Sequence, residues 1–175
     1  MAKVLFFGYG EYRNRSKLAQ VIGHDPGEEV GAVLNGYILV YQSLKQIPEN
    51  LRKFLQDVFG NDFKAYSIKK GNGLVSGVIW ELEEKDLKTL KEWVFVGDWR
   101  EMAEVVVTSS GGKEVTALTD KARDSQQFEK VIDGVDYEEF NNSRIPKIDY
   151  TKQEQYTQEQ ISKIRAWLSQ ESNRK

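Results

Sequence analysis

Residues 62–82, "DFKAYSIKKGNGLVSGVIWEL", are where the fold is decided. Two apolar arms flank "KKGNG", and that turn chemistry predicts a β-hairpin reversing near residues 69–73. In the second arm Val78, Trp80 and Leu82 alternate onto one face, the period of a strand with one buried side. Upstream, "KVLFFGYG" (3–10) reads as a strand running into a glycine loop, and "RNRSKLAQVIG" (13–23) as a short helix stopped by Gly23. "GAVLNGYILVYQ" (31–42) is a second strand. "PENLRKFLQDVFG" (48–60) is a helix with Pro48 in its first turn, a stripe of Leu51, Phe54, Leu55, Val58 and Phe59, and Gly60 at its end.

Downstream, "DLKTLKEW" (86–93) places Leu87, Leu90, Trp93 and Val94 on one helical face. "EMAEVVVTSSGGKEVTALTD" (101–120) predicts a strand pair turning at "SSGG". Residues 120–155 are polar and weakly patterned, a loop with short helical pieces. Thr157 and Gln160 form a capping box and Tyr156 a staple onto Ile161, opening a C-terminal helix with Ile161, Ile164, Trp167 and Leu168 on one stripe. No internal repeat or linker divides the chain. The pattern predicts one α+β domain over residues 1–150, built on a mostly antiparallel curved sheet, with a helix in 151–175 packed on it.

Composition narrows the chemistry. The 175 residues include 25 basic and 27 acidic side chains, and a net charge of −2 gives no argument for nucleic acid or an anionic membrane. There is no cysteine and one histidine, which excludes disulfides, zinc thiolates and a cysteine nucleophile and leaves His24 alone for any triad. "MAKVLFFGYG" is too short and too glycine-interrupted for a signal peptide, and no apolar run approaches the ~20 residues that span a bilayer. The expectation is a cytoplasmic, metal-independent protein without a cofactor.

Several features invite a functional reading, each with an ordinary alternative. The glycine loop "FFGYGEYRN" (6–14) could bring backbone N–H groups to a ligand or be a plain strand-to-helix turn. Arg13, Arg15 and Lys17 could hold a carboxylate or form a solvated helix face. His24 lies in a polar turn and reads as an exposed loop histidine. Glu11 and Glu92 are the carboxylates nearest these features, and Trp80, Trp93 and Trp99 read as core. The acidic run Asp136–Glu139 reads as a solvated loop.

In order, "LFFGYGE", "AVLNGYILVY", "AYSIKKGNGLVSGVIWEL", "DLKTLKEW" and "WREMAEVVV" resemble the gamma-glutamylcyclotransferase-like (avirulence-induced-gene-2-like) family, over about residues 3–120. The resemblance implies a small mixed or antiparallel β-barrel with peripheral helices. It implies a metal-free reaction in which a γ-glutamyl amine cyclises, releasing 5-oxoproline and an amine. It places the family's loop Tyr-Gly-Ser/Thr-Leu/Asn on Phe7, Gly8, Tyr9 and Gly10, its catalytic glutamate on Val94, the following glycine on Phe95, and a tyrosine on Trp99. Phe7, Gly8, Tyr9, Gly10, Val94 and Trp99 are thereby the implied substrate-binding residues.

A valine cannot carry a proton, so two readings follow: a non-catalytic or altered-activity ligand binder, a pseudoenzyme, or an active cyclotransferase with a relocated acid, Glu11 or Glu92. On a helix Glu92 points about 200° from position 94, whereas Glu11 lies on a loop. The expected partner is a small γ-glutamyl or related molecule, with no nucleic acid and no membrane; a protein partner stays open. Phe7–Glu11 is expected at the rim of the largest concavity with glycine N–H groups exposed, Trp80 and Trp99 in the core or pocket wall, and Val94 facing the pocket.

Overall fold

The computed structural model describes residues 3–138 and 140, together with Ser162 and Ala166, both helical and exposed. The expected C-terminal helix, its capping box and its packing otherwise lie outside the described residues. The chain runs β1 (Lys3–Gly8), a 3-10 turn (Gly10–Arg13), α1 (Arg15–Ile22), β2 (Glu29–Ser43), α2 (Glu49–Phe59), β3 (Lys64–Glu83), α3 (Glu84–Trp93), β4 (Arg100–Ser109), β5 (Glu114–Ala122) and β6 (Lys130–Ile132).

Strands pair in the order β3-β1-β5-β4-β2, and β2 returns to β3. The five strands therefore close on themselves as a mixed barrel, which removes the exposed edges of an open sheet. β1 and β5 are parallel; the other pairs are antiparallel. The α+β barrel with peripheral helices expected from the sequence is the observed class.

The 62–82 hairpin is corrected. Lys64–Glu83 is one strand of 20 residues, and β2 is the partner of both halves: Leu39 opposes Ile68, and Leu34 opposes Val75. Between the pairs Asn35–Leu74 and Tyr37–Lys70, Gly36 alone (φ +81°) faces residues 71–73. The glycines thus make a bulge that bends the ladder instead of a reversal. A Cβ on Gly71 or Gly73 would lie 3.1 or 3.0 Å from the Ile38 side chain, so that bend also depends on small residues. Residues 120–155 differ as well. Among their described members there is no helix, and β6 pairs with β2 through Leu39–Ile132 and Tyr41–Lys130.

Alternation along β1 divides the core. Phe7 points into the barrel with Leu34, Leu39, Ile68, Val75 and Val107. Phe6 points outward, with Trp80 and Leu82 of β3, against Leu18 and Val21 of α1 and Leu87 and Leu90 of α3. A third cluster joins Leu51 and Leu55 of α2 to Phe63, Phe95 and Trp99. Trp80 and Trp99 are both buried, and each indole N–H has a partner: Trp80 Nε1 donates to the Tyr12 carbonyl at 2.8 Å and Trp99 Nε1 to Gln42 Oε1 at 2.9 Å. Among the described residues no helix is long and apolar enough to cross a membrane.

Candidate functional site

The site begins where β1 runs out. Gly8 is the last strand residue, and a Cβ there would meet the Tyr12 carbonyl oxygen at 2.3 Å, so only glycine lets the chain fold back this tightly. The turn itself is Tyr9-Gly10, with Gly10 at φ +64° against the Tyr66 ring. Asn14 then caps α1, its side chain accepting from Ser16 N–H at 2.9 Å and from Lys17 N–H. The glycine N–H expected to face a ligand is occupied. Gly10 N–H donates to the Tyr137 hydroxyl at 2.9 Å, which in turn donates to the Ser76 carbonyl at 2.7 Å.

Beneath the turn lies a buried polar knot. Tyr9 Oη donates to the Asp120 carbonyl at 2.7 Å and accepts from Arg100 Nη2 at 2.9 Å. Arg100 Nε donates to Asp120 Oδ2 at 2.6 Å. Burial would lower the guanidinium's pKa, but the Asp120 charge outweighs it and Arg100 is held in its charged form. Burial pushes the Tyr9 hydroxyl well above the ordinary tyrosine value.

These groups line a cavity of about 90 Å³. One water needs about 10–15 Å³ of such a space, so it has room for about six to nine water-sized groups. Glu11, Tyr12, Lys17, Gln20, Lys64, Arg100 and Asp120 supply most of its polar lining; Phe59, Phe63, Trp93, Val94, Phe95 and Trp99 supply much of the apolar wall. Two broader surface depressions are larger, about 800 Å³ along α2 and about 500 Å³ beside residues 132–140. The loop therefore borders the more enclosed cavity and not the largest concavity.

Val94 enters this wall because α3 stops there. It caps the helix, its N–H donating to the Leu90 carbonyl at 3.0 Å, and the next residue, Phe95, turns left-handed at φ 59°. Among the described residues Phe95 alone has a positive φ without being glycine. The Phe95 carbonyl then accepts the N–H groups of Asp98, Trp99 and Arg100, which fixes Trp99 and Arg100 at the mouth of β4.

Of the residues named from sequence, the cavity brings together Glu11, Tyr9, Val94 and Trp99. Phe7, Gly8 and Gly10 do not line it: Phe7 is inside the barrel, and the two glycines shape the turn. Glu92 does not line it either, as its place on α3 requires. The Glu11 carboxyl is different. Burial raises its pKa above the usual glutamate value, against the opposing pull of Lys17 and the Tyr12 hydroxyl.

The basic cluster separates. Arg13 lies over the Tyr137 ring, 3.7 Å from its centroid, Arg15 pairs with Asp25 and Glu29, and Lys17 alone of the three lines the cavity. His24 is 46% exposed yet partnered, with Nε2 2.9 Å from Asp86 Oδ1. Arg100, Asp120 and Tyr12 are the site residues that sequence reasoning missed. Arg100 followed Trp99 in the quoted "WREMAEVVV", but only strand pairing brings Asp120 to it.

A closed five-stranded mixed barrel with a cavity where the first loop meets the end of α3 is the gamma-glutamylcyclotransferase-like fold. Human uncharacterized protein loc79017 shares it with a TM-score of 0.57 and 19% identity over 75% of this chain and 71% of its own. A structure described as gamma-glutamyl cyclotransferase shares it with a TM-score of 0.51 and 20% identity over 74% of this chain and 70% of its own. YkqA from Bacillus subtilis superposes with a TM-score of 0.51 at 16% identity over 91% of this chain and 49% of its own. At these identities the likeness is one of fold. No protein-family model and no curated protein sequence matches the chain.

Proposed function

We propose that this chain is a γ-glutamylamine cyclotransferase whose proton-transfer acid sits on the first loop, at Glu11, instead of at the end of α3. The observation that carries the reading is the Glu11 carboxyl, lining the same cavity as Val94 with its pKa raised by burial. The turn at Tyr9-Gly10 supports it. Setting the family's loop Tyr-Gly on that turn, not on Phe7-Gly8 inside β1, puts Glu11 at the loop's Ser/Thr place. Phe95 supports the register at the other wall, since its left-handed backbone is the conformation for which a glycine is suited.

In this reading the substrate's α-amine attacks its own γ-carbonyl carbon. The new C–N bond closes the five-membered ring, and the bond to the departing amine breaks. Glu11 takes the proton lost by the attacking nitrogen and returns it to the leaving nitrogen, so nothing else is consumed. A carboxyl with an upward-shifted pKa is better matched to both halves of that transfer near neutral pH than an ordinary surface glutamate. The compact cavity supplies the positioning that makes an intramolecular attack productive.

The test is 5-oxoproline release from γ-glutamyl-alanine. Turnover by the wild type is expected to fall about 10²–10⁴-fold in Glu11→Gln and to survive in Glu92→Gln. Adding Val94→Glu to Glu11→Gln is expected to restore part of it. Val94 itself favours a second reading, a pocket that binds without turnover. Binding of γ-glutamyl-alanine with no product from the wild type would select that reading.

A further inference from the structure

Arg100 has a donor left over. Its guanidinium carries five N–H donors in a rigid planar fork. Nε is committed to Asp120 and Nη2 to the Tyr9 hydroxyl, yet Nη1 is buried without a hydrogen-bond partner among the described residues. The residue is only 4% exposed, and it lines the cavity. Buried donors are nearly always satisfied, so an orphan of this kind calls for an acceptor. Two bonds already fix the plane of the fork, so the direction of Nη1 is set before anything binds, and little order remains to be imposed.

The charge around it chooses the acceptor. Three cations line the cavity, Lys17, Lys64 and Arg100, against two carboxylates, Glu11 and Asp120. Asp120 is held in its ion pair with Arg100, and the lining carries one more cation than carboxylate. A neutral carbonyl would satisfy Nη1, but a carboxylate would gain a charge-assisted bond to the guanidinium. Phe59, Phe63 and Trp93 also line the cavity and give it aromatic, apolar surface.

We infer that Arg100 is the anchor for a carboxylate on the ligand, with Nη1 donating to one of its oxygens while the aromatic wall receives an apolar substituent. The inference deepens the proposed function and rests on it for the cavity being a ligand site. For a γ-glutamyl amine the anchored group is the α-carboxylate, and the favoured amine is apolar. Arg100 is then a positioning and specificity residue that orients the glutamyl unit toward Glu11.

The experiment uses the full chain and two probes, γ-glutamyl-benzylamide and its α-carboxamide counterpart, which lacks only the negative charge. Binding is measured by calorimetry, and benzylamine release is followed in parallel. The wild type is expected to bind the acid about tenfold or more tightly than the amide. Arg100→Lys keeps a cation for Asp120 but loses the fork, so the acid should lose more affinity than the amide and the preference should fall toward unity. Equal binding of acid and amide by the wild type would overturn the inference, as would an undiminished preference in folded Arg100→Lys or failure of both probes to bind. If Arg100→Lys does not fold, the wild-type comparison decides alone. The two claims separate cleanly. Preferential binding of the acid without benzylamine release sinks the cyclotransferase reading and keeps the anchor. Release from acid and amide with the same KM sinks the anchor and keeps the reading.

Discussion

Arg100 Nε and Asp120 Oδ2 meet at 2.6 Å across the adjacent strands β4 and β5, with the two side chains 5% and 3% exposed. Removing one partner of such a pair strands the other charge out of water, at a cost of about 3–5 kcal/mol. Asp120→Ala is expected to lower the thermal midpoint by about 6–20 °C, taking about 2–4 °C per kcal/mol for a chain of this size. Scanning calorimetry checks it; a shift of under about 3 °C would show that water reaches the pair.

Glu11 should weaken the fold where it is ionised. Burial raises its carboxyl pKa above the unfolded value. The native state therefore holds the proton more tightly than the unfolded state does. Stability linked to this group is full below the unfolded pKa and is lost as pH rises through the folded one. Glu11→Gln mimics the protonated form, so it is expected to raise the thermal midpoint at pH 8 and leave it nearly unchanged at pH 4. A destabilised Glu11→Gln at pH 8 would contradict a carboxyl whose charged form is disfavoured by desolvation.

The pairing of His24 with Asp86 has the opposite chemistry and the same direction in pH. Burial works against the imidazolium, but the Asp86 carboxylate and the Asp25 carbonyl outweigh it and hold its pKa above the ordinary histidine value. The contribution is present at pH values below the unfolded pKa and disappears as pH rises through the folded one. His24→Gln should therefore destabilise the protein more at pH 5.5 than at pH 8.5. Because the ring is 46% exposed, solvent screening keeps the effect under about 1 kcal/mol. Equal losses at both pH values would remove the charge from the account.

Phe95 sets packing against backbone strain. Its left-handed φ of 59° costs about 1–2 kcal/mol for a residue with a Cβ, while its ring is buried edge-on against Phe54 of α2, in the cluster with Leu51, Leu55, Phe63 and Trp99. Packing outweighs the strain, since deleting a buried Phe side chain costs about 3–5 kcal/mol. Both Phe95→Ala and Phe95→Gly should lose stability. Only glycine relieves the backbone, so Phe95→Gly is expected to be more stable than Phe95→Ala by about 1 kcal/mol, the reverse of the usual order. Urea unfolding of both variants reads this directly.

What was legible in the sequence follows from what is local. Helices α1, α2 and α3 were readable from their stripes and stops, because Gly23 and Gly60 end helices through their own backbone freedom. The turn at 109–112 was readable for the same reason, with Gly112 at φ +83°. The "KKGNG" stretch misled because glycines serve a bulge as well as a reversal. Which one forms depends on Gly36, more than thirty residues upstream on the partner strand. Tyr9, Glu11, Val94 and Trp99 were found because they flank readable element ends. Arg100 and Asp120 were missed as a pair because their meeting depends on the β4–β5 register, and the altered acidity of Glu11 comes from its desolvation in the folded chain, which no local pattern shows.

The place of β1 inside the barrel governs the order in which the molecule can assemble. Its "VLFF" run leaves the ribosome before either of its two neighbours, β3 and β5, and Thr119 Oγ1 donates to the Phe7 carbonyl 112 positions earlier in the chain. Until residue 122 has emerged, the first strand has at most one side covered, and its other side is an open, apolar template for pairing with the wrong chain. The long excursion back to the start also gives the nascent protein a high contact order, which slows closure. Translation stalled or truncated between β3 and β5 should thus yield chains that aggregate through their N-terminal strand, even though that strand is among the best-buried parts of the finished barrel.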